Sequence, residues 1–301
     1  MSHSGSDLAT MAAPTAPPRA RATLRRAALG AEGWWAALAL IALGALIRLG
    51  LLLSGWPATD SDEGTMGLMA LHINTRGEHP LFFYGQSYMG TIQAYLGAVL
   101  FHVFGASVFS LRLGLLLLFI LFLLVMYPLL RLLYGGAFAL VGLLLLDLGG
   151  PDLLKPQLLA LGGYPETLLF GTLGLLLAVW IALSAGAEQP GWRRLALYGA
   201  LGLTMGLGWW SDQLVFPFLT VAALLLVLFC RRELAWRGLL ALVAGLLVGV
   251  APQFLYLLTQ PPANSGPSAI AAFEWQGPAT LLRLPATFGA HLLGALLVAL
   301  P

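Results

Sequence analysis

The sequence predicts an all-α polytopic membrane protein, and three observations carry that class. Of the 301 residues, 59% are hydrophobic and 9% are charged, whereas a soluble domain holds about a quarter charged residues. The apolar residues fall in solid Leu/Ala/Gly/Val runs, several long enough to cross a bilayer. A closed barrel would instead show short alternating segments. Basic residues, finally, collect at one side of the predicted bundle. The single cysteine, Cys230, excludes a disulfide framework within the chain.

Residues 1–33 are rich in Ser, Ala and Pro, carry Arg19, Arg21, Arg25 and Arg26, and read as a disordered cytoplasmic tail. Trp34 to Leu53 is then an apolar run broken only by Arg48. It is too long for a signal-peptide core and no small-residue cleavage pattern follows, so it reads as an uncleaved anchor helix. Polar residues dominate the outward first loop, 55–108, above all over 57–90. Within that loop Tyr88 to Phe104 is apolar but interrupted by Gln93, Tyr95 and His102, which suits a helix lying at the membrane interface. Further spans are expected at about 109–133, 136–150, 165–185, 195–210, 213–230, 236–258 and 287–301. That makes about eight spans within 34–301, the last short of the roughly 20 residues a crossing needs and read as truncated.

Charge orients the bundle. With the tail inside, ten basic residues fall on the inner face (Arg19, Arg21, Arg25, Arg26, Arg131, Arg193, Arg194, Arg231, Arg232, Arg237) against Arg76, Lys155 and Arg283 outside. This bias predicts a cytoplasmic N-terminus. Eight of the thirteen acids gather on the outer side, which topology rules do not require and an outward-facing site would explain.

Three outer motifs are the candidates for chemistry. In Asp60-Ser61-Asp62-Glu63, Asp60 suits a helix N-cap with Glu63 completing a capping box. The same residues suit a general base with neighbouring carboxylates that raise its pKa or hold a metal ion. After it, Phe82 and Phe83 read as an interfacial belt, while His79, Tyr84 and Gln86 read as a polar wall for a sugar. Gly162-Gly163-Tyr164-Pro165-Glu166-Thr167 is a loop and helix start whose acid complements the dipole, or a second carboxylate facing the first loop. Trp209-Trp210-Ser211-Asp212-Gln213 is a tight turn whose tryptophans suit either a membrane belt or stacking on a sugar. Lys155 and Arg283 are outward cations that a phosphate would meet, or ordinary interfacial side chains. Gly202-x-x-x-Gly206 and Gly245-x-x-x-Gly249 read as helix-packing motifs. No P-loop, dinucleotide fingerprint or HExxH occurs, and no nucleic-acid partner is expected.

In order, the chain shows an anchor helix, an outward Asp62-Glu63 pair opening a helix, and a Tyr84-Gly85-Gln86 segment. An amphipathic helix ending Phe104-Gly105 follows, and Leu111-Arg112-Leu113 opens the next span. This order resembles the GT-C glycosyltransferases, in the branch that uses polyprenyl-phosphate sugars and includes protein O-mannosyltransferases and lipid A aminoarabinose transferases. The resemblance covers about residues 34–260 and is strongest over 57–115. It implies a GT-C-like helix bundle with an outward first loop carrying interfacial helices, in the plasma membrane. It implies inverting transfer from a polyprenyl-phosphate-sugar donor to a glycan, lipid or protein acceptor on the extracytoplasmic side. By the same resemblance Asp62 is the general base with Glu63 beside it. Asp60 makes the triplet D-x-D-like, so that a divalent ion is an option there. Tyr84, Gln86, Lys155, Tyr164, Glu166, Trp210, Asp212 and Arg283 are the candidate substrate-binding residues. Asp62, Glu166 and Asp212 are expected to border one outward cavity. A transporter would place its ionisable residues near mid-membrane, where only Arg48 and Asp147 are candidates, as a structural pair. A non-catalytic membrane partner is the third class.

Overall fold

A computed structural model describes residues 33–185 and 191–259 of the chain. About 81% of the described residues are helical, and among them there is no strand. Eleven helices follow one another: α1 (Trp34–Leu53), α2 (Ser61–Arg76), α3 (Ile92–Phe104), α4 (Val108–Tyr134), α5 (Gly136–Asp147), α6 (Pro151–Leu158), α7 (Tyr164–Leu183), α8 (Gly191–Ser211), α9 (Phe216–Cys230), α10 (Arg237–Gly249) and α11 (Ala251–Thr259). The expected span 287–301 and Arg283 lie outside the described residues, as does the tail up to residue 32.

Four helical segments among the described residues are long and apolar enough to cross a membrane: α1, α4, α7 and Gln213–Cys230, the last including a short 3₁₀ turn before α9. The count is lower than the sequence pattern suggests, for local reasons. The 136–150 run ends at Asp147, and α5 and α6 meet at a bend of 77°, so together they form at most one broken span. The 236–258 run is split at Val250 into 13 and 9 residues. Pro252, the second residue of α11, has no N–H to continue the helix and its ring crowds the preceding turn. In α8, glycines, Thr204 and two arginines dilute the apolar character of an otherwise long helix.

Three buried clusters hold the bundle together. Ala37, Ile41, Phe119, Phe122, Leu123, Tyr127 and Leu143 join α1, α4 and α5. Met66, Met69, Phe83, Met89, Phe101 and Leu115 join α2, α3 and the start of α4. Ile181, Tyr198, Leu201, Met205, Leu226 and Cys230 join α7, α8 and α9. The helix expected at the interface is α3, whose 13 residues span about 20 Å at 1.5 Å per residue, too short to cross. It packs against α2 and α4 through Gln93, Ala94, Gly97, Ala98 and Phe101.

The glycine motifs act as the sequence suggests. A Cβ on Gly202 would fall 1.9 Å from the Leu242 carbonyl oxygen, and one on Gly245 would fall 2.1 Å from that of Gly199. A Cβ on Gly206 or Gly249 would fall 2.4 or 2.5 Å from a carbonyl oxygen of the opposite helix, so α8 and α10 touch backbone to backbone. Gly245→Leu is therefore expected to cost about 3 kcal/mol or more, because rigid backbone cannot yield to the new side chain. Thermal unfolding in detergent checks this. Gly50→Ala in α1 is the control, since nothing lies within 4 Å of that position.

Arg48 is fully buried in α1. Its guanidinium donates to Gln157 Oε1 at 3.1 and 2.7 Å, and to the carbonyls of Gly44, Leu146 and Asp147 at 3.2, 3.1 and 3.4 Å. Its flat face lies 3.4 Å from the Phe119 ring centroid. The expected Arg48–Asp147 pair thus acts through charge alone, with no hydrogen bond between the two side chains. Arg48 takes the backbone of Asp147, and the carboxylate oxygens of Asp147 have no hydrogen-bond partner.

At one end of the bundle Arg194 ties α7, α8 and the 231–236 turn together. It donates to Glu233 at 2.6 and 3.0 Å, to Ser184 Oγ at 2.5 Å and to the Ile181 carbonyl at 2.7 Å. The opposite end carries α2, α3, α6 and the 77–91 and 159–163 segments, and is the polar cap described next.

Candidate functional site

The cap begins at the start of α2. Asp60 is the N-cap, and its Oδ1 accepts the Glu63 N–H at 3.0 Å. Only half of the expected capping box forms, because Glu63 turns inward. Its carboxylate takes Arg112 Nε at 2.7 Å and Nη2 at 2.6 Å, and also accepts the Ala160 N–H at 3.3 Å. Both partners are buried, Glu63 at 1% exposure and Arg112 at 3%. Between these two committed acids, Asp62 is exposed at the second position of the helix. It is the carboxylate of the triplet that neither caps the helix nor joins an ion pair.

That geometry does not fit a metal ion at the D-x-D-like triplet. Asp60 is used as a cap and Glu63 as an ion-pair partner. Among the described residues no three His, Cys, Asp or Glu side chains converge as metal ligands.

The 78–91 segment folds as a strap across the cap. Phe83 N–H reaches the Met89 carbonyl at 2.9 Å around a turn in which Gly85 has φ 80°, a conformation glycine adopts without strain. Phe82 bridges to Gly90, and Met89 bridges to Asp212. Gly90 N–H donates to the Ser211 carbonyl at 2.8 Å, and Trp210 Nε1–H donates to the Leu81 carbonyl at 2.9 Å. The expected aromatic belt is absent here. Phe82 and Phe83 are each 4% exposed, Phe82 packing edge-on to Tyr256 and Phe83 joining the core under α2. Trp210 spends its N–H on the strap, and Trp209 packs edge-on to Phe216.

Tyr84 does not stand beside the triplet. Its hydroxyl donates to Glu78 Oε2 at 2.5 Å and lies 3.2 Å from His72 Nδ1. His72 is ten residues beyond Asp62 on α2, about 15 Å along the axis. The Tyr84 hydroxyl holds the Glu78 carboxyl below its usual range, while burial and then Glu78 push the Tyr84 phenol up to about 12. Because the folded pKa of Glu78 is depressed, this contact supports the strap above the ordinary carboxylate range and is lost as pH falls through the folded pKa. Hydrogen exchange over 78–90, corrected for intrinsic rates, should show that loss of protection in wild type, and Glu78→Gln should remove the dependence.

The second and third motifs do come together. Glu166 is fully buried in the first turn of α7, and its Oε2 accepts from Gln93 Nε2 at 2.9 Å. The Gln93 carbonyl in turn accepts the Gly162 N–H at 3.2 Å. The Asp212 carboxylate lies against Gly163, where a Cβ would fall 2.0 Å from Oδ2, and its Oδ1 accepts the Leu214 N–H at 2.7 Å. Burial pushes the Asp212 carboxyl above its usual range, against the Leu214 N–H, which favours the charged form. Gly163 has φ 72°, so glycine there serves both the backbone and the space. Tyr164 and Lys155 are exposed on the same cap, and Gln86 keeps a buried Oε1 without a hydrogen-bond partner.

Two residues central to this arrangement are not singled out as site residues by the sequence: Gln93 reads as an interruption of an apolar run, and Arg112 as the middle of the Leu-Arg-Leu that opens a span. Gln93 falls among Ala94, Gly97, Ala98 and Phe101 on the buried face of α3, and Arg112 lies one turn into α4. A polar side chain on a buried helix face needs a partner, and that is the signal by which both could have been found.

The fold and cap define a helical protein with four candidate membrane-spanning helices and a polar assembly at one end of the bundle. No family model matches the chain, and neither a curated protein nor a solved structure matches it.

Proposed function

We propose that the chain is a membrane glycosyltransferase that moves a sugar from a polyprenyl-phosphate donor to an acceptor hydroxyl, with inversion, on the extracytoplasmic side. The observation that carries the reading is the isolation of Asp62. Of three clustered carboxylates, one caps the helix, one is locked to Arg112, and Asp62 alone stays open at the helix N-terminus. A general base needs that freedom. The motif order that resembles polyprenyl-phosphate-sugar transferases supports the same residue. Orientation follows from charge: the end with Arg131, Arg193, Arg194, Arg231, Arg232 and Arg237 faces the cytoplasm, and the cap, with Arg76 and Lys155, faces out.

In this reading Asp62 takes the proton of the acceptor hydroxyl as its oxygen attacks the anomeric carbon. The bond from that carbon to the phosphate oxygen breaks, and polyprenyl phosphate leaves with the electron pair. Lys155, exposed on α6, is a cation available to the phosphate, and Arg283 is a second candidate outside the described residues. The test is transfer of radiolabelled sugar from a panel of polyprenyl-phosphate donors to membrane extracts, comparing wild type with Asp62→Asn at equal membrane expression.

One observation favours a second reading, a carrier for a lipid or small solute. The α5–α6 pair is bent by 77° beside the buried Arg48, Asp147 and Gln157, and broken helices with buried charge line transport sites. Solute uptake into proteoliposomes that Asp147→Asn abolishes, with no sugar transfer from any donor, would establish the carrier instead.

A further inference from the structure

Four carboxylates are buried among the described residues: Glu63, Asp147, Glu166 and Asp212. Glu63 is matched by Arg112, and Asp147 has Arg48 acting on it. Glu166 and Asp212 differ. Asp212 lies against Gly163, the N-cap of the helix whose first turn holds Glu166, its charge acts on Glu166, and no basic side chain among the described residues acts on either. Each is held by neutral donors alone, Glu166 by the Gln93 amide and its own backbone N–H, Asp212 by the Leu214 N–H. The N-terminus of α7 offers roughly half a positive charge, against two carboxylates.

Buried oxygens without partners occur on these two residues' own turns. Glu166 Oε1 has no hydrogen-bond partner although the residue is fully buried. The same holds for the hydroxyl of Ser211, fully buried beside Asp212, and for that of Thr167, 6% exposed beside Glu166. Two buried hydroxyls and one oxygen of the acid pair itself without partners are costly as they stand. They become favourable around a hard cation, which takes six or more oxygens and is matched by two carboxylates.

We infer that Glu166 and Asp212, with the Ser211 hydroxyl, form a divalent-cation site of the oxygen-ligand type, joining the first turn of α7 to the α8 end. The site is separate from the Asp60-x-Asp62 triplet and does not depend on the proposed transfer reaction. It gives the cap a structural pin: the ion links the 162–167 loop to the turn that the strap bridges through Met89.

The probe is Mn²⁺ added to the full chain, purified in detergent and treated with chelator, with binding followed by electron paramagnetic resonance and competed with Ca²⁺ and Mg²⁺. Wild type should take up one Mn²⁺ per chain. Glu166→Gln, nearly isosteric, should weaken binding by about tenfold or more, as loss of a charged ligand does. Ser211→Ala should weaken it less while leaving the fold intact, so a folding defect in one variant does not decide the matter. Asp62→Asn should bind as wild type does. Absence of Mn²⁺ binding to folded wild type overturns the inference. So does binding that survives in Glu166→Gln and Asp212→Asn, or binding that Asp62→Asn removes.

Discussion

Replacing Asp62 by Asn is expected to lower sugar transfer by about 10²- to 10⁴-fold, the usual contribution of a positioned general base, with membrane expression and thermal stability unchanged. The stability half of that expectation comes from the structure. Asp62 is exposed and its side chain makes no hydrogen bond that helps build the cap, whereas its neighbours on either side do. Asn differs from Asp by its charge and its capacity to take a proton, so the variant isolates those properties. Asp60→Asn is the matched control. Asn caps a helix as well as Asp does, so α2 should keep its start and transfer should fall little. Reversal of that order, with Asp62→Asn active and Asp60→Asn inactive, would move the base to Asp60. Activity in both would turn attention to Glu166, whose carboxylate is buried 0% exposed behind Gln93 and would need the cap to open. Absence of transfer by well-expressed wild type with every donor would shift weight to the carrier reading.

How much of this was legible in the sequence differs by level. The long apolar runs α1, α4 and α7 were readable because length and composition suffice for a spanning helix. That the two glycine motifs pack helices closely was readable too, though not that α8 and α10 pack on each other. Interruptions were harder. The α5–α6 bend and the break at Val250 depend on how Gly149-Gly150 and Pro252 act within otherwise apolar stretches. The cap was legible as a set of motifs and not as a set of contacts. Asp212 meets Gly163 of the second motif, whereas Glu166 is fully buried on Gln93 and Asp62 stands exposed at the start of α2. Glu63 is drawn away from Asp60 and Asp62 by an arginine 49 residues later in the chain. Phe82, Phe83 and Trp210 are turned inward by a strap whose hydrogen bonds run to residues about 130 positions away. Such long-range pairings leave no local trace, except that a polar residue on an apolar face must be answered somewhere.

The Glu63–Arg112 pair makes the largest stability prediction. Arg112→Met should destabilise the protein by about 3–5 kcal/mol, because it strands an ionised Glu63 in a buried site. The retained Ala160 N–H, at 3.3 Å, is a single neutral donor and cannot replace a two-point guanidinium contact. Glu63→Met should cost a similar amount by stranding Arg112, which has no exposed route out of its site at 3% exposure. The double variant should recover much of the loss, since two methionines remove both charges and keep apolar volume between α2 and α4. Thermal and denaturant unfolding of the four proteins in detergent gives the coupling energy directly. Near-additive losses would mean that the pair is not buried as described. The pair also bears on chemistry through its position next to Asp62. Because Glu63 pins the first turn of α2 to α4 and to the 159–163 segment, the double variant tests whether that anchoring positions the base. A stable double variant with weakened transfer, and with the acceptor KM little changed, would assign the pair a positioning role. Full transfer in that variant would confine it to stability.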